Sequence, residues 1–308
     1  MKTRDAVLAF IVIVVWGINF TVIKFGVEGV PPMLLVALRF IFAAFPAVLF
    51  IKPPDVSWKY VVAFGLTVGV GQFSCLFYAI YTGMPAGIAS VVLQSQAFFT
   101  ILFACIYFKE RIRTSQIIGL LVSGVGLFFI TGRVGEQNAA PIPISAFFII
   151  LAAAFFWGLS NIVVRQASQA AAAQGKKMNV FSMVIWSSLV PPLPMLAASL
   201  VLEKPALIWQ ALIHINALSI FSIIYLAFLA TVAGYGLWSQ LMSKYPAQKV
   251  APLSLLIPVV GLIAARLILG EELSLMQWAG GVIIIAGLLI SNFTVLTSTL
   301  AFGKRNKK

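Results

Sequence analysis

Runs of about 20 apolar residues, separated by short polar breaks, recur along almost the whole chain, and runs of that length suffice to cross the hydrocarbon core of a bilayer. Within lipid every backbone polar group must find its partner inside the protein, which leaves helices or a closed barrel. No period-two alternation runs through these segments, so the pattern selects helices. It predicts ten spans, residues 6–27, 33–51, 58–81, 86–108, 114–131, 145–164, 180–202, 216–242, 247–269 and 275–295. The longest hydrophilic stretches, residues 132–143 and 166–179, read as loops, so no soluble domain is expected beside the bundle.

Composition agrees with a membrane solvent: 61% of the 308 residues are hydrophobic and 9% charged, against roughly a quarter charged in soluble domains. The net charge of +13 would suggest a nucleic-acid partner in a soluble chain, but its placement removes that reading. Basic residues sit in alternate connections: Lys2 and Arg4, Lys52 and Lys59, Lys109 with Arg111 and Arg113, Arg165 with Lys176 and Lys177, Lys244 and Lys249, then Lys304, Arg305, Lys307 and Lys308. The other connections hold only Arg133 and Lys204. The positive-inside rule then predicts cytoplasmic N- and C-termini in a multi-pass protein of the cytoplasmic membrane, which requires an even number of spans. The first apolar run exceeds a signal-peptide core and lacks a small-residue cleavage site after it, so it is expected to be retained.

The chain is written twice. Residues 85–127 recur at 246–288 with a constant offset of 161: Pro85 and Pro246, Ala86 and Ala247, Glu110 and Glu271, Gln116 and Gln277, Gly119 and Gly280, Gly126 and Gly287. Each copy reads as an apolar helix, a Glu at the polar break and a second helix carrying two glycines. Earlier in each half stands a matching helix, with Trp16-Gly17-Ile18-Asn19 and Lys24 in the first and Trp157-Gly158-Leu159-Ser160-Asn161 and Arg165 in the sixth. Two units are expected, residues 1–138 and 139–308. Five spans per unit force opposite orientations, placing Glu110 and Glu271 on opposite faces, the inverted-repeat plan of many secondary transporters.

Trp16-Gly17-Ile18-Asn19 with Lys24, Ala37-Leu38-Arg39-Phe40, Gly83-Met84-Pro85-Ala86-Gly87, Gly234-Tyr235-Gly236 and Val250-Ala251-Pro252-Leu253-Ser254-Leu255, together with the two helix-Glu-helix hairpins, resemble the EamA family of the drug/metabolite transporter superfamily. The likeness runs from the first span to the last. It implies a cytoplasmic-membrane efflux protein for small amino-acid metabolites such as O-acetylserine and cysteine. Relatives across the superfamily also carry other amino acids, drugs and nucleotide sugars, and a lipid-carrier flippase on the same repeat is a second possibility that the resemblance leaves open.

Polar groups inside spans should mark any transport site, because intramembrane charge is costly. All eight acids fall in connections or at helix ends, which argues against a proton relay built on a buried carboxylate. Lys24 lies near a helix end, where it can snorkel to the interface. Arg39, about 10 Å along the second span at the helical rise, reads as a structural charge, as a carbonyl clamp or as a partner for a substrate carboxylate. Trp157, Asn161 and Arg165 share one helix stripe, with Trp16 and Asn19 their counterparts in the first span. With Gln72, Gln94, Gln96, Tyr235 and Ser254 they suit either hydrogen bonds between helices or one wet central pocket for a small zwitterionic substrate.

Pro252 and Pro258 interrupt the ninth span, whereas Val91 and Ala97 hold the equivalent places in the fourth, so a kink is expected in the ninth and a straight fourth helix. Gly119, Ser123, Gly126, Gly280 and Gly287 read as close-packing positions, Arg266 as an interface anchor, and Glu110 and Glu271 as carboxylates at the start of each hairpin's second helix. Cys75 and Cys105 lack metal-ligand spacing and His214 stands alone. No phosphate-binding glycine motif, carboxylate pair or Ser-His-Asp set can be assembled, so neither cofactor nor metal is expected and a membrane enzyme is disfavoured. Partners would be substrate and surrounding lipid, and oligomeric state is not encoded legibly.

Overall fold

A computed structural model describes residues 1–130, 142–245 and 250–291. Among them seven helices are long and apolar enough to cross a membrane: Thr3–Gly29, Pro32–Phe50, Trp58–Tyr81, Ala86–Phe108, Ile144–Ala172, Val180–Leu202 and Ala217–Lys244. Three shorter apolar helices, Thr114–Ile130, Leu253–Leu269 and Leu275–Ser291, complete the expected order of spans. The predicted start of the ninth span, the ends of the fifth and tenth, Arg133, Lys249 and the basic tail lie outside the described residues.

Contacts between helix ends establish the alternation of the spans. On one face, hereafter the basic face, Asp5 bonds Tyr245 Oη (2.7 Å) and Lys244 Nζ (3.4 Å), Lys176 pairs with Asp55 (3.5 Å), and Arg165 pairs with Glu110. On the other, the Met33 amide donates to Glu203 (2.7 Å) and the Ala86 and Gly87 amides donate to Glu271 (2.7 and 3.0 Å). Glu110 and Glu271 therefore stand on opposite faces, as two inverted units require.

The fifth and tenth spans meet on the axis that relates the halves. A Cβ on Gly126 would fall 2.6 Å from the Gly280 carbonyl oxygen, and one on Gly119 would fall 2.5 Å from that of Gly287. Between them Ser123 Oγ donates to the Ile284 carbonyl at 3.2 Å. Those two positions differ by the repeat offset of 161, so the pseudo-two-fold passes between them. The glycines matter because lipid tails give no hydrophobic drive for helix association, and close backbone approach must supply the packing. Elsewhere the first span seats on the ninth, where a Cβ on Gly17 would lie 2.5 Å from Val260.

Both halves carry the same helical irregularities. The third and eighth spans each widen into a π-helical stretch, Gly65–Gln72 and Tyr225–Ala233, and the fourth and ninth each tighten into a 3-10 stretch, Leu93–Ser95 and Ala251–Leu256. An uninterrupted fourth helix was expected from its lack of proline, yet Leu93–Ser95 forms a 3-10 stretch there, so the irregularity belongs to the repeat and not to Pro252 and Pro258 alone.

Two further expectations are corrected. The sixth span does not stop at residue 164 but continues to Ala172, because the stretch after Arg165 is rich in alanine, the strongest helix former. The second hairpin helices begin at Thr114 and Leu275, so Glu110 and Glu271 precede them and do not sit in their first turns. The capping falls to the repeat-equivalent glutamines: Gln116 Oε1 accepts from the Arg113 amide (2.8 Å) and Gln277 Oε1 from the Ser274 amide (3.0 Å). Ser274 Oγ returns a bond from the Gln277 amide (3.1 Å), completing a capping box.

Candidate functional site

A cavity of about 470 Å3 opens between the two halves. Trp16, Asn19, Gln72, Gln94, Gln96, Trp157, Asn161, Tyr235 and Ser254 all line it, so the polar residues singled out in six different spans face one space. Arg39 lines it too. Lys24 and Arg165 do not: Lys24 pairs with Glu28 one turn on (3.8 Å), while Arg165 bridges to Glu110 at the basic face with its guanidinium 4.2 Å over the Phe108 ring. Pro252 and Pro258 lie on the span that supplies Ser254, at the start of its 3-10 stretch and just beyond it.

The irregular helices build the walls. In a π-helical stretch the ladder shifts to i−5 acceptors, and Thr231 Oγ1 donates to the Leu226 carbonyl five residues back (2.8 Å). One turn away the Ala230 carbonyl accepts from Trp16 Nε1 (2.9 Å), fixing the indole at the cavity wall. Trp16 is flanked by the rings of Tyr235 (centroids 5.2 Å) and Trp238 (5.4 Å), a cluster joining the first and eighth spans. Across the cavity Asn161 Nδ2 donates to Gln96 Oε1 (2.8 Å) and Thr100 Oγ1 (3.0 Å), so the fourth and sixth spans are held by the amides themselves.

Arg39 is 2% exposed and sits between the two π-helical stretches. Its Nε and Nη2 donate to Thr231 Oγ1 (3.3 and 3.1 Å), and its guanidinium lies 3.9 Å over the Phe73 ring that follows Gln72. Among the described residues lining the cavity there is no Asp or Glu, so the charge has no carboxylate counterpart there.

The lining runs from Asn19, Gln72 and Gln94 near mid-span to Val164, Val180, Trp238 and Met242 near the basic ends of their helices. Toward the opposite face the same helices are closed by packed apolar side chains, including Val22, Ile23, Leu35, Ile80 and Ile88, each at most 1% exposed. Leu35 packs against Gly26, and Gly26 against Ser222, sealing the first, second and eighth spans. The cavity therefore opens toward the basic face. Trp238, Ser239 and Met242 were not anticipated as lining residues, although Trp238 and Met242 follow Tyr235 at i+3 and i+7 on one helix stripe, a spacing that could have revealed them.

Two inverted helical halves enclosing one cavity, with polar side chains from six spans set in its wall, are the architecture of a membrane transporter. The chain belongs to the EamA-like transporter family, which it matches over residues 4–132 and again over 144–293, once per half. It is 46% identical over 293 residues to a "Probable amino-acid metabolite efflux pump" of Salmonella typhimurium, covering 95% of this chain and 96% of that one. It is 44% identical to a protein of the same description from Escherichia coli K12, again over 95% and 96%. A "Probable terminal-alkyne amino-acid exporter" of Streptantibioticus cattleyicolor is 24% identical, over 95% of each chain. A solved crystal structure superposes with a TM-score of 0.62 at 17% identity, covering 96% of this chain and 98% of the other, and shares the fold. The protein is a multi-pass transporter and not an enzyme.

Proposed function

We propose that this protein exports small amino-acid metabolites, with O-acetylserine and cysteine the first candidates, by exposing its central cavity alternately to the two sides of the cytoplasmic membrane. The observation that carries the reading is the cavity lining: amides, hydroxyls and aromatic rings set among aliphatic side chains, with a single arginine and no acid among the described residues. Such a surface holds an ammonium and a carboxylate through dipoles and ring faces, without a dense array of fixed charge to slow release. Its volume of about 470 Å3 suits a small solute. The names of the relatives that match along almost the whole chain point to the same substrate class. With the basic face cytoplasmic by the positive-inside rule, the cavity is open to the compartment in which such metabolites are made.

The test is direction-resolved transport in inside-out membrane vesicles, using a panel of labelled amino acids with purines and cationic drugs as the competing classes, with and without a pH gradient. Accumulation of O-acetylserine and cysteine above control vesicles is the expected result. Accumulation only of purines or drugs, or of nothing on the panel, overturns the substrate class.

A further inference from the structure

Three residues that line the cavity each carry a buried polar atom with no hydrogen-bond partner: Nη1 of Arg39, Oδ1 of Asn19 and Oε1 of Gln72. Their residues are 2%, 7% and 4% exposed. Leaving such groups unpaired is costly, and more so for a charged one. One is a cationic donor and two are neutral acceptors. Arg39 is also held in place for a guest: Thr231 takes Nε and one N–H of Nη2, and Phe73 covers one face, which fixes the plane of the fork. What remains is the end edge, Nη1 with the second N–H of Nη2, whose parallel donors match the two oxygens of a carboxylate.

Resting on the export reading above, the geometry points to Arg39 as the receptor for the substrate carboxylate, with the Asn19 and Gln72 amide oxygens receiving the ammonium, so that an α-amino-acid head group is what the cavity recognises. The side chain of the substrate is left to the aromatic cluster of Trp16, Tyr235 and Trp238 and to the lining near Met242. No carboxylate of the chain competes for Arg39 among the described lining residues, so the guanidinium is neutralised only when cargo is bound. A decarboxylated analogue should therefore be refused even when its side chain is unchanged. The bulk of specificity lies in the head group and little in the side chain.

The test is competition against labelled cysteine for the purified full-length protein in detergent, under reducing conditions, with cysteamine as the carboxyl-free analogue and 3-mercaptopropionate as the amine-free one. For the wild-type protein cysteamine is expected to compete at least about tenfold more weakly than cysteine, since a site built to bond a group rejects the analogue that lacks it. Arg39→Gln is expected to weaken cysteine to the level of cysteamine while leaving cysteamine unchanged, and Asn19→Leu to erase the preference over 3-mercaptopropionate. Equal competition by cysteine and cysteamine in the wild-type protein overturns the inference without any variant, which covers the case in which Arg39→Gln fails to fold. It leaves the export reading standing if vesicle transport is observed. Absence of cysteine binding together with absence of amino-acid transport overturns both.

Discussion

Gln94 and Asn161 face the same cavity but are built in differently, and their substitutions should separate accordingly. Asn161 ties the sixth span to the fourth through Gln96 and Thr100, so Asn161→Ala is expected to lower thermal stability, by roughly 0.6 kcal/mol per interhelical bond, and transport with it. Gln94→Ala removes an amide from the wall and is expected to reduce transport severalfold with an unchanged melting temperature in detergent. Equal transport by Gln94→Ala and wild type would remove Gln94 from the pathway. The Arg165 guanidinium beside Glu110 holds that carboxyl below its usual range, so the pair is intact at neutral pH and is lost only as pH falls through the lowered value. Both partners are solvent-exposed, and Arg165→Gln should change stability by less than about 1 kcal/mol. At this scale the sequence was informative for a simple reason. An amide within an apolar span has to face protein or water, so the interior polar residues could be named before their neighbours were known. Which of them are bonded to one another, as Asn161 is to Gln96, depends on how distant helices meet and left no local mark.

Among the elements, the glycine contacts of the fifth and tenth spans make a sharp contrast. Gly126→Ala would gain about 1 kcal/mol of helix propensity but drive a Cβ to 2.6 Å from a backbone oxygen that cannot step aside, and overpacking of that kind costs about 1–3 kcal/mol. The expected net effect is a lower melting temperature. Gly124 lies two residues away with nothing within 4 Å of an added Cβ, so Gly124→Ala should be neutral or stabilising in the same assay. Both positions look alike in the sequence apart from the repeat, since Gly126 recurs as Gly287 and the counterpart of Gly124 is Ile285. Repetition therefore reported packing that composition did not. The π-helical stretches were invisible, because Gly65–Gln72 and Tyr225–Ala233 share no residue pattern that departs from an ordinary apolar helix. The Ala230 carbonyl and the Thr231 hydroxyl of the second stretch nevertheless position Trp16 and Arg39. The capping box of Ser274 and Gln277, by contrast, has a local signature, a serine followed three residues later by a glutamine.

For the whole molecule, the face that is shut is held by contacts between helices of opposite halves. Glu271 accepts the first two amides of the fourth span, joining the end of the second half to the middle of the first. Glu271→Ala leaves those amides without this acceptor and is expected to raise labelling, by a membrane-impermeant thiol reagent, of a cysteine introduced on the closed face, with no change at a cysteine placed near Met242. Unchanged labelling at both would show that Glu271 does not hold that face closed. Such a contact cannot be read from a linear repeat, which relates Glu271 to Glu110 but is silent about what either touches. The crossing pattern and the inverted pairing, by contrast, follow from hydropathy, charge placement and an odd number of spans per half.

The central claim is that solute passes between the halves only if the closed face can open. Gly26 and Ser222 seal that face between the first and eighth spans, and a Cβ on Gly26 would lie 3.3 Å from that of Ser222, close to the ~3.5–4.5 Å of a disulfide. In a protein whose Cys75 and Cys105 have been replaced, Gly26→Cys with Ser222→Cys should cross-link on oxidation, and transport into inside-out vesicles should stop and return on reduction. Undiminished transport by fully cross-linked protein would contradict the account.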